Sequence, residues 1–221
     1  MENFELPVLP PLFEGIEPQK LQDVLRCLNA RQQHYRQGAT ILRAGDTTTR
    51  LGIVLSGSVH IVRCDAWGMQ SILDNVEPGQ VFAETYACLE GEPLMVSAVA
   101  AEPVSVLFLD VRRLAEGGAC ALHGKILGNL MQLMARKNLM LTRKINCITP
   151  RTIRARLLNY LSIQAAAQNS ASFVIPFDRQ QLADYLSVER SALSKELSKM
   201  QQEGLISCRK NYFALHCGRL E

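Results

Sequence analysis

Residues 178–204 read DRQQLADYLSVERSALSKELSKMQQEG, and they hold two short helical patterns. Asp178 followed by Gln181 three residues later is a variant of the capping box that starts helices. Gly204 stands where a helix prefers to end. Only residues 186–189 separate the patterns, so the stretch predicts a helix-turn-helix. The inward apolar residues are Leu182, Ala183 and Leu186 in the first helix, and Leu193, Leu197 and Met200 in the second.

The second helix, predicted over residues 189–203, carries polar side chains on its outer face. A DNA-recognition helix presents such side chains from its N-terminal half to the major groove. Any solvated amphipathic helix also has a polar outer face, so the flanking elements must decide between the two interpretations. The candidate DNA contacts on this helix are Glu189, Arg190, Ser191, Ser194, Lys195 and Lys199.

The segments on either side favour DNA binding. Residues 205–217, LISCRKNYFALHC, predict a β-hairpin that turns at Lys210-Asn211 and makes the domain winged, and FVIPF (173–177) predicts a short strand before the first helix. Arg209 and Lys210 at the hairpin tip, together with Arg179, are expected to contact DNA phosphates.

Basic residues are concentrated in the C-terminal third. Residues 149–221 contain 10 Lys and Arg against 6 Asp and Glu, whereas residues 1–148 contain 14 against 15. Residues 136–156 contain seven basic side chains and no acidic one. A polyanionic partner is therefore expected to meet this end of the chain.

The composition is that of a folded protein without a membrane span, since 48% of the 221 residues are hydrophobic and 20% are charged. The acidic N-terminus lacks the basic and apolar regions of a signal peptide, so a cytoplasmic location is expected. Seven scattered cysteines form no Cys-x-x-Cys pair, and the histidines share no ligand spacing, so no metal site is expected. No phosphate loop, nucleophile elbow or paired carboxylate motif indicates an enzyme.

The N-terminal half is a series of short β-rich segments punctuated by glycine, which is typical of a jelly roll or β-barrel. A short helix over residues 18–30 precedes them. The predicted strand segments are 40–45, 51–64, 69–84, 95–102 and 104–110.

One long helical pattern follows over residues 119–148, with apolar residues three and four apart. Such a stripe predicts a dimer contact, and packing against the chain's own β-domain is the alternative. Thr149-Pro150 predicts the N-cap of a new helix, after a hinge at residues 146–148. The residues assigned to the dimer contact are Leu127, Leu130, Met134 and Leu141.

These elements predict an α+β chain with three parts. Residues 1–118 form a jelly roll or β-barrel. Residues 119–148 form a long dimerisation helix, and residues 149–221 form a winged helix-turn-helix domain.

The order of these parts resembles the Crp/Fnr superfamily of bacterial transcription regulators. The resemblance covers nearly the whole chain and is carried by GSVHIV (57–62), PGQVFAE (78–84) and residues 182–206. It implies that residues 1–118 are a double-stranded β-helix (jelly roll) of the cyclic-nucleotide-binding-like type. It also implies a homodimer whose β-roll senses a small effector and reorients two recognition helices on a near-palindromic double-stranded DNA operator. RNA polymerase is the further partner that the resemblance implies.

The identity of the effector stays open. Cyclic-AMP receptors place an arginine on the cyclic phosphate, but Val96 stands at that place here, while Glu84 matches their glutamate. Burial of an unpaired phosphate costs several kcal/mol, so cyclic AMP is not expected. An iron–sulfur cluster is not expected either, because the N-terminus has only Cys27. Haem bound by a His or Cys of the roll is an alternative. The expected effector pocket contains Phe82, Ala83, Glu84, Thr85, Val96 and Ser97, facing Met140, Leu141 and Thr142.

The recognition helix combines features of two branches of the family. Arg190 matches the guanine-reading arginine of cyclic-AMP receptors, whereas Ser194 and Lys195 resemble the Ser-Arg pair of the oxygen-sensing branch. Ser191 stands where both branches have glutamate. A rival interpretation is a cyclic-nucleotide-type regulatory module that acts on a protein partner. The basic helix face and wing argue against that module, because it needs neither.

Overall fold

The computed structural model describes residues 6–64, 70–89, 91–115 and 122–216. The chain forms two compact units, Met1–Arg136 and Lys137–Glu221. The predicted boundary between residues 118 and 119 lies outside the described residues. None of the helices in the described ranges is both long and apolar enough to cross a membrane.

Two four-stranded antiparallel sheets form the β-roll of the first unit. Their strand orders are β1-β8-β3-β6 and β2-β7-β4-β5. The strands are β1 (Arg31–Tyr35), β2 (Thr40–Leu42), β3 (Arg50–Ser56), β4 (Val59–Cys64), β5 (Gln70–Val76), β6 (Val81–Phe82), β7 (Ser97–Ala100) and β8 (Val104–Asp110).

Strand β8 is buried along its whole length because both of its faces meet apolar layers. Val106 and Phe108 point into the core between the sheets. Leu107 and Leu109, on the opposite face, join a second core that includes helical residues. The alternation follows from the two-residue period of a strand.

The helices of the first unit cover the outer face of that sheet. They are α1 (Pro18–Cys27), α2 (Glu84–Cys88), α3 (Arg112–Ala115) and the start of α4 (His123–Ile148), with a 3-10 turn at Pro11–Phe13. Asn129 of α4 donates hydrogen bonds to the carbonyl oxygens of Leu12 (3.0 Å) and Glu14 (2.9 Å). These bonds fix the first turns of α4 to the roll that precedes it.

The second unit is a winged helix around one apolar core. Its elements are α5 (Ile153–Gln168), β9 (Ser172–Val174), α6 (Arg179–Tyr185), α7 (Arg190–Gln202), β10 (Ile206–Arg209) and β11 (Tyr212–Leu215). The strands form an antiparallel sheet in the order β10-β11-β9. All six apolar residues predicted to face inward from the two helices are buried in this core.

The predicted junction between the long helix and the next helix was wrong. Thr149 does not cap a new helix, because its N–H (2.9 Å) and its hydroxyl (2.7 Å) both donate to the carbonyl of Ile145 in the last turn of α4. Thr152 is the N-cap of α5, and its side chain accepts from the Ala155 N–H (3.2 Å). Residues 146–148, predicted as a hinge, lie in α4. The link is therefore residues 149–152.

Three smaller differences concern short elements. Strand β1 and helix α2 are absent from the sequence-based prediction. The strand predicted over residues 173–177 covers only Ser172–Val174, and Pro176, which has no N–H to donate, follows it.

Candidate nucleic-acid interface

Helix α6 begins with the predicted capping box. The Asp178 carboxylate accepts from the Gln181 N–H (2.8 Å), and the Gln181 side chain accepts from the Asp178 N–H (2.9 Å). Two N–H groups that the helix itself leaves unpaired are thereby satisfied.

The turn between α6 and α7 is held by a guanidinium group. Ser187 adopts a left-handed backbone conformation (φ +54°). Arg156 of α5 donates to the carbonyl oxygens of Leu186 and Ser187 (both 3.0 Å) and of Pro150 (2.8 Å). Arg156 was grouped in the sequence with the basic residues that face a polyanion. It instead joins the link before α5 to the turn before the recognition helix.

A second arginine fixes the orientation of α7. Arg154 of α5 donates to Glu196 (2.6 Å) and to Glu203 (2.9 Å). The hydrogen bond from Arg154 is the main cause that lowers the pKa of Glu203. The hydrogen bonds to Glu203 and Glu196 in turn raise the pKa of Arg154. Both ends of α7 therefore depend on side chains of α5.

The predicted DNA-contacting residues of α7 all lie on its exposed face. The Ser191 hydroxyl donates to the Glu189 carboxylate. That bond lowers the pKa of Glu189, and the nearby charge of Lys195 adds to the effect. The N-terminal end of the face thus carries an anion beside the guanidinium of Arg190.

The wing is the predicted hairpin. Arg209 of β10 pairs with Tyr212 of β11, and Lys210 makes the turn in a left-handed conformation (φ +56°). Arg209 and Lys210 are both exposed.

An open groove of about 690 Å³ brings together three of the predicted contacts from different elements. Arg179 comes from α6, Arg190 from α7 and Lys210 from the wing, and Asp178 is the carboxylate among them. Arg179 is half-buried, because its guanidinium lies 5.2 Å from the centre of the Phe213 ring and donates to the Cys208 sulfur (3.2 Å). It therefore also ties α6 to the wing, a role that the sequence did not indicate.

Two family models match the chain. The cyclic nucleotide-binding domain model matches residues 32–116, and the Crp-like helix-turn-helix domain model matches residues 155–221. The chain is 27% identical over 199 residues to the cyclic AMP receptor protein of Thermus thermophilus, covering 89% of this chain and 88% of that one. It is 25% identical over 190 residues to the transcriptional activator protein FnrA of Stutzerimonas stutzeri, covering 83% and 76%.

The chain belongs to the Crp/Fnr superfamily. Its fold is shared by the c-di-GMP-responsive global regulator CLP of Xanthomonas campestris, with a TM-score of 0.55 and 19% identity over 91% of this chain and 100% of that one. The predicted fold class, an N-terminal jelly roll, a long helix and a C-terminal helix-turn-helix domain, is confirmed. The chain is a Crp/Fnr-type transcription regulator and not an enzyme, and DNA is the partner of its helix-turn-helix domain.

In this Crp/Fnr chain the residues assigned to the effector pocket lie at different depths of the roll. Phe82 is in the core between the sheets, edge-on to Phe108 and above Gly52, where a larger residue would collide with its ring. Glu84 is buried in α2, and the Ser97 hydroxyl accepts from the Ala44 N–H (3.0 Å).

The remaining pocket residues divide between the two units. Val96 is half-buried and Thr85 is exposed. Ala83 has a left-handed backbone (φ +59°). Leu141 and Thr142, with Met140, are exposed on the part of α4 that belongs to the second unit.

The residues assigned to the dimer contact differ in their exposure along α4. Leu130 is 2% exposed and belongs to the core of its own roll, and Met134 packs partly against the same core. Leu130 was therefore wrongly assigned to a contact with a second chain, and packing on the chain's own β-domain holds for that part of the helix. Leu127 and Leu141 are exposed.

Proposed function

We propose that this chain acts as a homodimer that reads a near-palindromic double-stranded DNA operator with its two copies of α7. A small effector bound by the β-roll would control the orientation of these helices. The observation that supports this proposal best is the groove shared by Arg179, Arg190 and Lys210. Three cations from three elements line this groove, beside the exposed face of a helix of recognition type. Cations in such a place can contact the phosphates that flank the bases read by the helix.

Each side chain has a different role in this proposal. Arg190 donates to a guanine edge in the major groove, and Lys195 contacts a base or a phosphate. Ser194 lies on the same face and offers its hydroxyl as a hydrogen-bonding group. The Glu189 carboxylate, to which Ser191 donates, accepts from a cytosine amino group. Lys199, Arg209, Lys210 and Arg179 contact phosphates.

We assign effector binding to residues 1–118, dimerisation to residues 119–148 and DNA binding to residues 149–221. The valine at position 96 leaves a cyclic phosphate without the arginine that cyclic-AMP receptors use, so we infer an effector other than cyclic AMP. Once the regulator is bound at a promoter, RNA polymerase is its protein partner.

Salt-dependent binding of generic duplex DNA tests the assignment of the interface. The logarithm of the binding constant falls linearly with the logarithm of salt concentration, in proportion to the number of phosphates contacted. Combined replacement of Lys199, Arg209 and Lys210 by alanine should weaken binding to all sequences and flatten that slope by about 5, because three phosphate contacts are lost in each of the two subunits. Fluorescence anisotropy between 50 and 300 mM salt measures both effects.

The matched control removes three exposed arginines of the roll, Arg36, Arg43 and Arg63, which changes the net charge equally. This control should leave the slope unchanged. Equal slopes for the two triple variants and the parent, with circular dichroism showing that all three are folded, would refute the interface. That result would favour a module that regulates a protein partner.

A further inference from the structure

Helix α4 has an exposed apolar stripe that differs from the seam expected from the sequence. Met131 is 65% exposed, whereas its neighbour Leu130 is 2% exposed. Lys144 follows Leu141 by three residues, and its ammonium nitrogen lies 5.8 Å from the ring centre of Tyr185 in its own winged-helix unit. The exposed apolar stripe thus contains Met131 where Leu130 was expected, and it continues to Ile145, next to Lys144.

The stripe alternates steps of four and three residues over three heptads. In the heptad notation of coiled coils, abcdefg, the stripe occupies the a and d positions. The d positions are Leu127, Met134, Leu141 and Ile148, and the a positions are Met131, Asn138 and Ile145. Ile145 at an a position, with Leu127 and Leu141 at d positions, is the combination that favours two strands in a parallel coiled coil. Leu127, Met131, Leu141 and Ile145 are large apolar side chains that the chain leaves exposed, so a second copy of α4 is the occupant that this pattern fits.

The flanking positions are compatible with a parallel pair. In such a pair each g residue faces the e residue five positions later in the other helix. Residues 123, 130 and 137 then face residues 128, 135 and 142, which are Gly, Ala and Thr. No like charges are brought together, and the e side chains are small enough to let the helices approach. Leu139 and Met140 are also exposed but lie outside the seam.

Asn138 is the polar residue at the middle a position. It is exposed, and in the single chain its carbonyl and side-chain oxygens accept from the Thr142 hydroxyl (3.0 and 3.4 Å). We propose that Asn138 pairs with Asn138 of a second copy and thereby sets the parallel orientation and register of the dimer. An asparagine at one a position specifies register at a cost in stability, because any other alignment buries its amide against apolar side chains. This inference rests on the proposed dimeric function and adds the residue that aligns the two DNA-binding units.

Disulfide trapping in the full-length protein tests the register. The N138C variant should form an intermolecular disulfide between the two copies of position 138, located by mass spectrometry of non-reduced peptides. The Q132C control, at an exposed position outside the seam, should not link to its own counterpart. The proposal would be overturned if position 138 formed disulfides only with native cysteines, or formed no disulfide although the protein is dimeric. It would also be overturned if Q132C linked to its own counterpart and N138C did not.

The dissociation constant of the dimer shows how much stability the Asn138 side-chain amide costs at the seam. Asn138→Ile should lower the dimer dissociation constant about tenfold or more, whereas Gln132→Ile should not change it. Sedimentation equilibrium measures both constants. An unchanged or higher constant for Asn138→Ile in a folded protein would overturn the role of Asn138. If these tests fail but the parent protein binds an operator as a dimer, only the register set by Asn138 is wrong. If the parent protein is monomeric and does not bind DNA, the proposed function is wrong as well.

Discussion

Arg190 is the first residue of α7, and its side chain lines the groove at the end of the helix expected to enter DNA. A bidentate contact between arginine and guanine is worth about 1–3 kcal/mol of discrimination. Arg190→Ala should therefore reduce the preference for the guanine-containing operator about tenfold or more. Competition binding against operators changed at one base pair at a time measures this preference. Lys199→Ala is the control, since loss of a phosphate contact weakens all operators alike. An Arg190→Ala protein that ranked the operators as the parent does would contradict the assignment.

Val96 stands where cyclic-AMP receptors have the arginine that pairs with the cyclic phosphate. Without a guanidinium at this position, cyclic AMP at 1 mM should leave the melting temperature unchanged, because a ligand stabilises only in proportion to its affinity for the folded state. Differential scanning fluorimetry with and without the nucleotide measures the effect. Stabilisation by more than about 2 kcal/mol, which would require a dissociation constant well below the ligand concentration, would show that another group neutralises the phosphate.

At the scale of elements, the position of α7 depends on two arginines of α5. Arg156→Ala would leave two carbonyl oxygens of the turn before α7 and one of the link before α5 without their charged donor, and each such bond contributes about 1.5–3 kcal/mol at most. We expect a loss of unfolding free energy of about that size in the winged-helix unit, followed by weaker DNA binding. Urea denaturation measures the loss. Arg151→Ala, an exposed neighbour, should have no effect, and equal stability of the two variants would contradict the role of Arg156.

The bridge from Arg154 to Glu203 predicts a pH dependence. The Arg154 hydrogen bond lowers the pKa of Glu203 in the folded state, so the bridge contributes stability above the usual glutamate pKa of about 4.3 and loses it as the pH falls through the lowered value. Glu203→Gln should therefore be less stable than the parent at pH 7, and the difference should shrink as the pH falls below the usual glutamate pKa. A difference that did not shrink on acidification would show that the charge of Glu203 does not stabilise the unit.

At the scale of the whole molecule, the elements with strong periodicity were predictable and those fixed by tertiary contacts were not. The helix-turn-helix followed from its capping box and apolar spacing, and the wing followed from its turn. Strand β1, RQQHY, has no alternation of apolar residues because it is mostly exposed. Helix α2 is too short for a helical period. The junction at Thr149 and Thr152 offers two similar caps, and only hydrogen bonds to neighbouring turns decide between them.

The site residues divide in the same way. Exposure of the α7 face could be predicted from its period. The contacts of Arg154 and Arg156 with α7 and the turn before it could not, because those partners lie 30 or more residues away in the sequence. Leu130 and Met131 are both apolar, and only the roll that α4 packs against determines which one remains available to a second chain.

If two copies of the chain read DNA symmetrically through α7, the sequences that they bind must show the same symmetry. Selection of bound sequences from a pool of random duplexes, with and without cell extract to supply an effector, reveals that symmetry. We expect enrichment of an inverted repeat whose half-sites are centred about 10 base pairs, or a multiple of that spacing, apart. Enrichment of a single unrepeated half-site, or of no sequence under either condition, would contradict it.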